Sequence, residues 1–117
     1  MSSNFVAALV LLLNAARADA AVPAFREDPV LSARAQQRAE TMCANRQFSH
    51  DGWQAAFRGS PYKRTGENLA MGPQEPRAVH GQLMNSPGHR ANILKRDFRA
   101  VGIGHACTIT VELFGGR

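Results

Sequence analysis

Three of the six prolines divide the chain into helical units, because each stands at a predicted helix start. The fixed φ of proline suits the first turn of a helix, where its missing N–H is not needed. Two of the three follow a residue whose side chain can cap a helix, in Asp28-Pro29 and Ser86-Pro87. The third, Pro76, comes soon after the turn Gly72-Pro73. The sequence therefore predicts helices from 29 to about 45, from 76 onwards, and from 88 to 94.

The helix after Asp28-Pro29 is predicted to be amphipathic. Its apolar residues recur at helical spacing and form one buried face: Leu31, Ala35, Ala39 and Met42. The polar side chains of Arg34, Gln37, Arg38 and Glu40 are predicted to cover much of the other face. His50 then lies just past the end of the helix.

A further helix is predicted before the first of these prolines, from Asn4 to about Asp19. Its apolar residues keep helical spacing (Phe5, Leu9, Leu12, Leu13, Ala16), and Ser2, Ser3 or Asn4 is available as an N-cap. The stretch also looks like a secretory signal ending near Ala20, but residues 1–4 lack the basic residue that such a signal needs. It is also too short to span a membrane. We therefore expect a buried first helix that the mature chain retains.

Alternation of side chains predicts strands later in the chain. Apolar residues alternate with small or polar ones over 101–107 and again over 109–113, which indicates a hairpin. A strand or extended piece bearing Glu67 is predicted from Arg64 to Met71, and residues 51–64 read as a long loop that Trp53 and Phe57 attach to the core. At 117 residues with 44% hydrophobic content, we expect one α/β domain over residues 1–117 with an antiparallel sheet.

Charge and cysteines exclude some classes of protein and leave others open. The formal charge is +5, but the basic residues are spread from Arg17 to Arg117 without a cluster, which is not typical of specific nucleic-acid binding. Cys43 and Cys107 do not lie in a redox or zinc-thiolate spacing. They allow a disulfide, two buried thiols or a bond to another chain. Buried thiols on the apolar sides of a helix and a strand are the simplest expectation.

An ordered series of short motifs runs through nearly the whole chain. The motifs are Leu13-Asn14-Ala15-Ala16-Arg17, Asp28-Pro29-Val30-Leu31, Phe48-Ser49-His50, Gly66-Glu67-Asn68-Leu69-Ala70, the stretch MNSPGHRANIL at 84–94, and Val101-Gly102-Ile103-Gly104. In this order they resemble the bacterial branch of the CAP superfamily, which includes cysteine-rich secretory proteins, antigen 5 and pathogenesis-related 1 proteins. The resemblance implies a CAP fold: an α-β-α sandwich with a small antiparallel sheet between helices, and a surface cleft.

The resemblance also carries a candidate site onto this chain. His50, Glu67 and His89 match the positions that line the family cleft, and Ser86 stands where eukaryotic members have a second glutamate. Because of this serine, the full set of two histidines and two glutamates is absent from this sequence. Taken without the family, His50, Glu67 and His89 are a weak signal, because no spacing places two of them on one helical face.

Two kinds of chemistry are open to these residues. Two neutral imidazoles beside a carboxylate suit zinc or another divalent ion, with His50 and His89 as ligands. In a hydrolase of that kind Glu67 is the candidate catalytic base, acting on metal-bound water. The alternative is a metal-free hydrogen-bonded network that braces the cleft.

The order of preference among functions follows from these residues. A binding module for a small ligand, lipid, glycan or peptide comes first, because it needs only the cleft. A structural component of a larger assembly, such as a virion or a cell-surface particle with protein partners, comes second. A divalent-metal-dependent hydrolase comes third, since no nucleophile motif supports it. The family resemblance implies an extracellular location, whereas the missing basic region leaves virion-associated and cytoplasmic locations open.

Overall fold

The computed structural model describes residues 4–117. Four α-helices occur in this range: α1 (Asn4–Asp19), α2 (Pro29–Asn45), α3 (Pro76–Met84) and α4 (Pro87–Ile93). The strands there are β1 (Arg26–Glu27), β2 (Arg64–Met71), β3 (Ala100–Ala106) and β4 (Ile109–Gly116), and a 3-10 helix spans Trp53–Phe57. The predicted caps Ser2 and Ser3 lie outside the described residues, and Asn4 is already helical.

The helices begin where the sequence predicts. The Asp28 carboxylate accepts hydrogen bonds from the backbone N–H groups of Val30 and Leu31, at 2.9 and 3.3 Å. These bonds satisfy donors that the first turn of α2 would otherwise leave free. At the other end, Arg46 adopts a left-handed φ of 51° and terminates the helix. The predicted first helix is confirmed from Asn4 to Asp19, and no helix within residues 4–117 is long and apolar enough to cross a membrane.

The four strands form one sheet in the order β1-β3-β4-β2. β4 pairs antiparallel with both β3 and β2, as the predicted hairpin requires. The expected antiparallel sheet is extended at one edge by β1, which pairs in parallel with β3 and makes the whole sheet mixed. Two residues are too few to show an alternating pattern, so this strand leaves no signal in the sequence. β2, which carries Glu67, lies at the opposite edge of the sheet.

Helices cover both faces of the sheet, which makes the expected α-β-α sandwich. The buried stripe of α2 (Leu31, Ala35, Ala39, Met42) and the 3-10 helix pack on one face, together with Val111 and Leu113. α1, α3 and α4 pack on the other face, around Val101, Ile103 and Phe114. α2 lies very close to the sheet. Its backbone at Leu31 and Gln36 occupies the space that a Cβ at Gly102 or Gly104 would need. The glycines of the Val-Gly-Ile-Gly motif are therefore required for this packing.

The expectation of two buried thiols is wrong. Cys43 and Cys107 form a disulfide that joins α2 to the turn between β3 and β4. Cys107 lies beyond the end of β3, in the left-handed region at φ 56°, and is exposed, while Cys43 is only half-buried. The long loop predicted over 51–64 is also partly ordered as the 3-10 helix, in which Phe57 is buried and stacks edge-on with Trp53.

Candidate functional site

Glu67 is the centre of the candidate site. It lies on the edge strand β2 and faces α2, and its side chain is 1% exposed. Arg38 of α2 makes a two-pronged contact with it: Nε lies 2.5 Å from Oε2, and Nη2 donates to Oε1 at 3.0 Å. A buried carboxylate is costly unless it is paired and hydrogen-bonded, and this geometry supplies both. Glu67 is therefore held in place as an ion pair with Arg38.

His50 completes this cluster on the solvent side. Its Nδ1 lies 2.9 Å from Oε1 of Glu67, and its side chain is 57% exposed. Because Glu67 is paired with Arg38 as a carboxylate, the facing Nδ1 of His50 carries a proton. Arg38 also donates to the carbonyl oxygens of Ser49 and Asp51, at 3.3 and 3.4 Å. The same guanidinium thus fixes both Glu67 and the loop on either side of His50.

His89 approaches from the other layer of the sandwich, in the first turn of α4. Its carbonyl oxygen accepts a hydrogen bond from the side chain of Asn68, the residue after Glu67, at 3.1 Å. Burial lowers the pKa of His89, and His50 lowers it further when the His50 ring is protonated. The imidazole is therefore neutral at pH 7. Its Nδ1 is buried and has no hydrogen-bond partner within residues 4–117.

Of the four predicted cleft residues, the structure brings His50 and Glu67 into direct contact. His50 acts on His89 electrostatically, and the convergence of the His89 side chain with the other two stays a prediction. Ser86 is the N-cap residue of α4, but its side chain makes no capping hydrogen bond. Within residues 4–117 it shows no bond to His50, Glu67 or His89. Their catalytic and ligand-binding roles stay predictions.

Arg38 is the functional residue that the sequence analysis missed. Helical periodicity placed it on the polar face of α2, which is normally solvated. The available signal was Glu67 itself: a glutamate inside a strand of a buried sheet needs a cation, and a helix packed on that face can provide one. Periodicity alone does not identify which helix packs there, so the pair becomes visible only in the fold.

The donors around Glu67 do not fit a resident metal ion. Both oxygens of Glu67 are bonded to Arg38, and one is also bonded to His50. Across residues 4–117, no group of three or more His, Cys, Asp or Glu side chains is arranged to hold a metal. Zinc sites in proteins use three or four protein ligands, so two imidazoles alone fall short.

An open cavity of about 340 Å³ adjoins the cluster, between α2 and the segment 47–56. Arg38, Ser49 and Asp51 line it, so it shares a wall with the loop that carries His50. The other lining groups include the amides of Gln37, Asn45 and Gln47, the hydroxyl of Thr41, and Ala55 and Ala56. The cavity therefore offers a partly polar space beside Arg38 and the residues that flank His50, although His50 itself does not line it.

Comparisons with known proteins agree on one family. Residues 10–109 match the model of the cysteine-rich secretory protein family, CAP. The protein YkwD of Bacillus subtilis is 35% identical over an alignment of 107 positions that covers 83% of this chain and 40% of that protein. The chain thus spans well under half the length of this relative.

Solved structures show the same fold. An extracellular protein containing an SCP domain from Bacillus anthracis matches with a TM-score of 0.92 at 23% identity, over 97% of this chain and 40% of that one. An outer surface protein from Borrelia burgdorferi matches with a TM-score of 0.85 at 24% identity, over 93% of this chain and 90% of that one. At these identities the likeness establishes the fold alone.

Proposed function

The chain belongs to the cysteine-rich secretory protein (CAP) family, and from that premise we propose that it is a binding domain whose cleft, formed by His50, Glu67 and His89, holds a polar ligand such as a glycan or a peptide. The observation that carries this proposal is the engagement of both oxygens of the buried Glu67. A general base must reach the proton that it removes, and a metal ligand must turn a free lone pair to the metal. Glu67 is poorly placed for either role, because Arg38 bonds both of its oxygens, His50 bonds one of them, and its side chain is 1% exposed.

Glu67 is better suited to orient His50 than to react. A carboxylate bonded to one nitrogen of a histidine fixes the tautomer and the direction of the ring. With the Nδ1 proton directed to Glu67, Nε2 of the neutral ring is a hydrogen-bond acceptor on the exposed side. We therefore assign Glu67 the role of a brace and His50 the role of the ligand contact.

The adjoining cavity favours a ligand that combines polar groups with an apolar frame. Amide and hydroxyl groups of Gln37, Thr41 and Asn45 line it beside Ala55 and Ala56. Binding sites commonly join apolar surface with a few placed polar groups that fix orientation. Sugar rings and peptide backbones carry hydroxyl and amide groups that match this lining, whereas a lipid chain does not.

We place the domain outside the cytoplasm. The Cys43–Cys107 disulfide supports this, since such bonds persist mainly in oxidising compartments. The matched Bacillus anthracis protein is described as extracellular and the Borrelia burgdorferi protein as an outer surface protein.

The binding role is tested by titrating the isotope-labelled protein with peptidoglycan fragments, oligosaccharides and peptides while recording NMR spectra. We expect at least one compound to cause saturable shifts at His50 and His89. In His50→Ala the affinity is expected to fall up to about tenfold, since one net hydrogen bond contributes roughly 0.5–1.5 kcal/mol. Gln82→Ala, an exposed change on α3, is the matched control. No saturable shift with any compound, or an unchanged affinity in His50→Ala, would contradict the proposal.

The same preparations distinguish the other functions. Turnover of a compound that stops in Glu67→Gln would favour a hydrolase over a binding domain. Stoichiometric zinc that is lost in His50→Ala would restore the metal site expected from the sequence. Concentration-dependent association would favour the assembly component.

A further inference from the structure

Two buried polar residues lie directly behind the cleft, on the face of the sheet opposite to Glu67. Asn68 follows Glu67 on β2, so its side chain lies on the other face of that strand. It pairs in register with Glu112 of β4, and both residues are 0% exposed. Asn68 donates through Nδ2 to Oε1 of Glu112, at 3.2 Å. A carboxyl group is thus sealed in the interior, one residue away from the candidate site.

Within the described residues, this single amide is the only group that stabilises a negative charge on Glu112. Burial raises the pKa of Glu112 to about 7, and the hydrogen bond from Asn68 only partly opposes that effect. Its second oxygen, Oε2, is buried and has no hydrogen-bond partner within residues 4–117. A buried carboxylate needs several donors or a cation, whereas a neutral carboxylic acid needs fewer. The geometry therefore suits the protonated acid.

Other titratable groups lie on this side of the sheet. They are His80 of α3, His89 of α4 and His105 of β3, and burial lowers the pKa of each below its usual value. α1 contributes Arg17, whose pKa is lowered by burial and by Arg99 and Arg96 to about 10, so it stays charged. A transition on this face is therefore assigned to Glu112 only where it disappears when Glu112 is replaced.

Asn68 links this acid to the helix that carries His89. The same Nδ2 that contacts Glu112 also donates to the carbonyl oxygen of His89, at 3.1 Å. Its Oδ1 accepts a hydrogen bond from Asn92 of α4, at 2.9 Å. These two bonds fasten α4 to the strand that bears Glu67. The position of His89 in the cleft therefore depends on the orientation of one buried amide.

We propose that Glu112 is a positioning residue for the cleft: as a neutral acid it shares the Asn68 Nδ2 group with the main chain at His89, one N–H for each acceptor, and on ionisation it draws that group toward itself and away from His89. Among the described residues, the donor that contacts the carboxyl group is the same nitrogen that bonds the His89 carbonyl, so a stronger bond to the charged carboxylate shifts the amide that His89 also uses. Ionisation thereby loosens the His89 side of the cleft. This inference rests on the proposed function in one respect, namely that the cleft binds a ligand.

The test uses the protein without any ligand, so its failure is distinct from failure of the binding role. The carboxyl ¹³C signal of Glu112 and the His89 ring and amide signals are followed by NMR between about pH 4 and 9, a range that spans both pKa values of the acid. We expect the Glu112 signal to titrate near pH 7 instead of the usual 4.5. The His89 signals are expected to show a transition with the same midpoint. In Glu112→Gln, which keeps the shape and the acceptor oxygen, that transition is expected to disappear.

Glu75→Gln, an exposed change at the start of α3, is the matched control and is expected to leave the transition intact.

The pH dependence of protein stability provides a second measurement. An acid whose pKa is higher in the folded protein makes the folded state bind more protons than the unfolded state between the two pKa values. The free energy of unfolding should therefore fall as pH rises from about 4.5 to about 7, and Glu112→Gln should lack this fall. A Glu112 signal that titrates near 4.5, or a His89 transition with a midpoint near pH 7 that persists in Glu112→Gln, would overturn the proposal. The titration of the His89 ring itself has a midpoint below its usual value and is expected in both proteins.

Discussion

Replacing Arg17 with methionine is expected to lower the free energy of unfolding by about 3 kcal/mol or more, because several buried carbonyl groups then lose their donor. The guanidinium of Arg17 is fully buried and donates to four carbonyl oxygens, those of Pro23, Ile93, Lys95 and Phe98, at 2.6–3.0 Å. Each carbonyl left buried without a donor costs roughly 1–3 kcal/mol. Arg17 also lies 3.7 Å from the centre of the Phe25 ring, a contact that methionine does not replace.

Chemical denaturation measures this change, with Arg90→Met on the exposed side of α4 as the matched control. We expect the control to change stability by no more than about 0.5 kcal/mol. Arg17→Lys is expected to recover only part of the loss, because one ammonium group cannot reach all four carbonyls. An Arg17→Met protein as stable as the wild type would show that these bonds do not hold the end of α4 and its following turn.

Replacing both cysteines by serine is expected to have an effect of similar size. The Cys43–Cys107 bond closes a loop with a sequence separation of 64, and the chain-entropy model assigns about 4 kcal/mol to a loop of that length. The bond ties α2, which carries Arg38, to the β3–β4 turn. We therefore expect the double variant to unfold at a markedly lower urea concentration.

A reducing agent provides the control for this prediction. It should lower the stability of the wild type to that of the double serine variant and leave the variant itself unchanged. A wild type that is insensitive to reduction, or a double variant with an unchanged urea midpoint, would count against a stabilising disulfide.

Local patterns were sufficient to predict the helices and the hairpin. The helix starts are encoded by residues that act within one turn, as Asp28-Pro29 does by capping and by a fixed φ. The buried stripe of α2 follows directly from its 3.6-residue period. β1 was missed because two residues carry no period. The 3-10 helix was missed because its five residues, at Trp53–Phe57, form a single short element inside a glycine-containing stretch.

The candidate site was predictable only in part. The order of motifs identified His50, Glu67 and His89, since each of them lies in a stretch that resembles the family. It did not identify what those residues contact. Arg38 is far from Glu67 in sequence, and Glu112 lies in an apolar strand whose alternation gives no sign of a buried acid. Their partners are determined by the packing of α2 and by the register between β2 and β4, which are tertiary properties.

The central claim is that Glu67 braces His50 rather than holding a metal or removing a proton. Long-range ¹H–¹⁵N NMR of the histidine rings in chelator-treated protein tests it most directly, because it reports which ring nitrogen carries the proton. We expect the His50 proton on Nδ1, bonded to Glu67, and we expect its preference for Nδ1 to weaken in Glu67→Gln. Equimolar zinc should leave the His50 and His89 signals unchanged. A wild-type His50 protonated on Nε2, or stoichiometric zinc that shifts both rings, would contradict this account of the cleft.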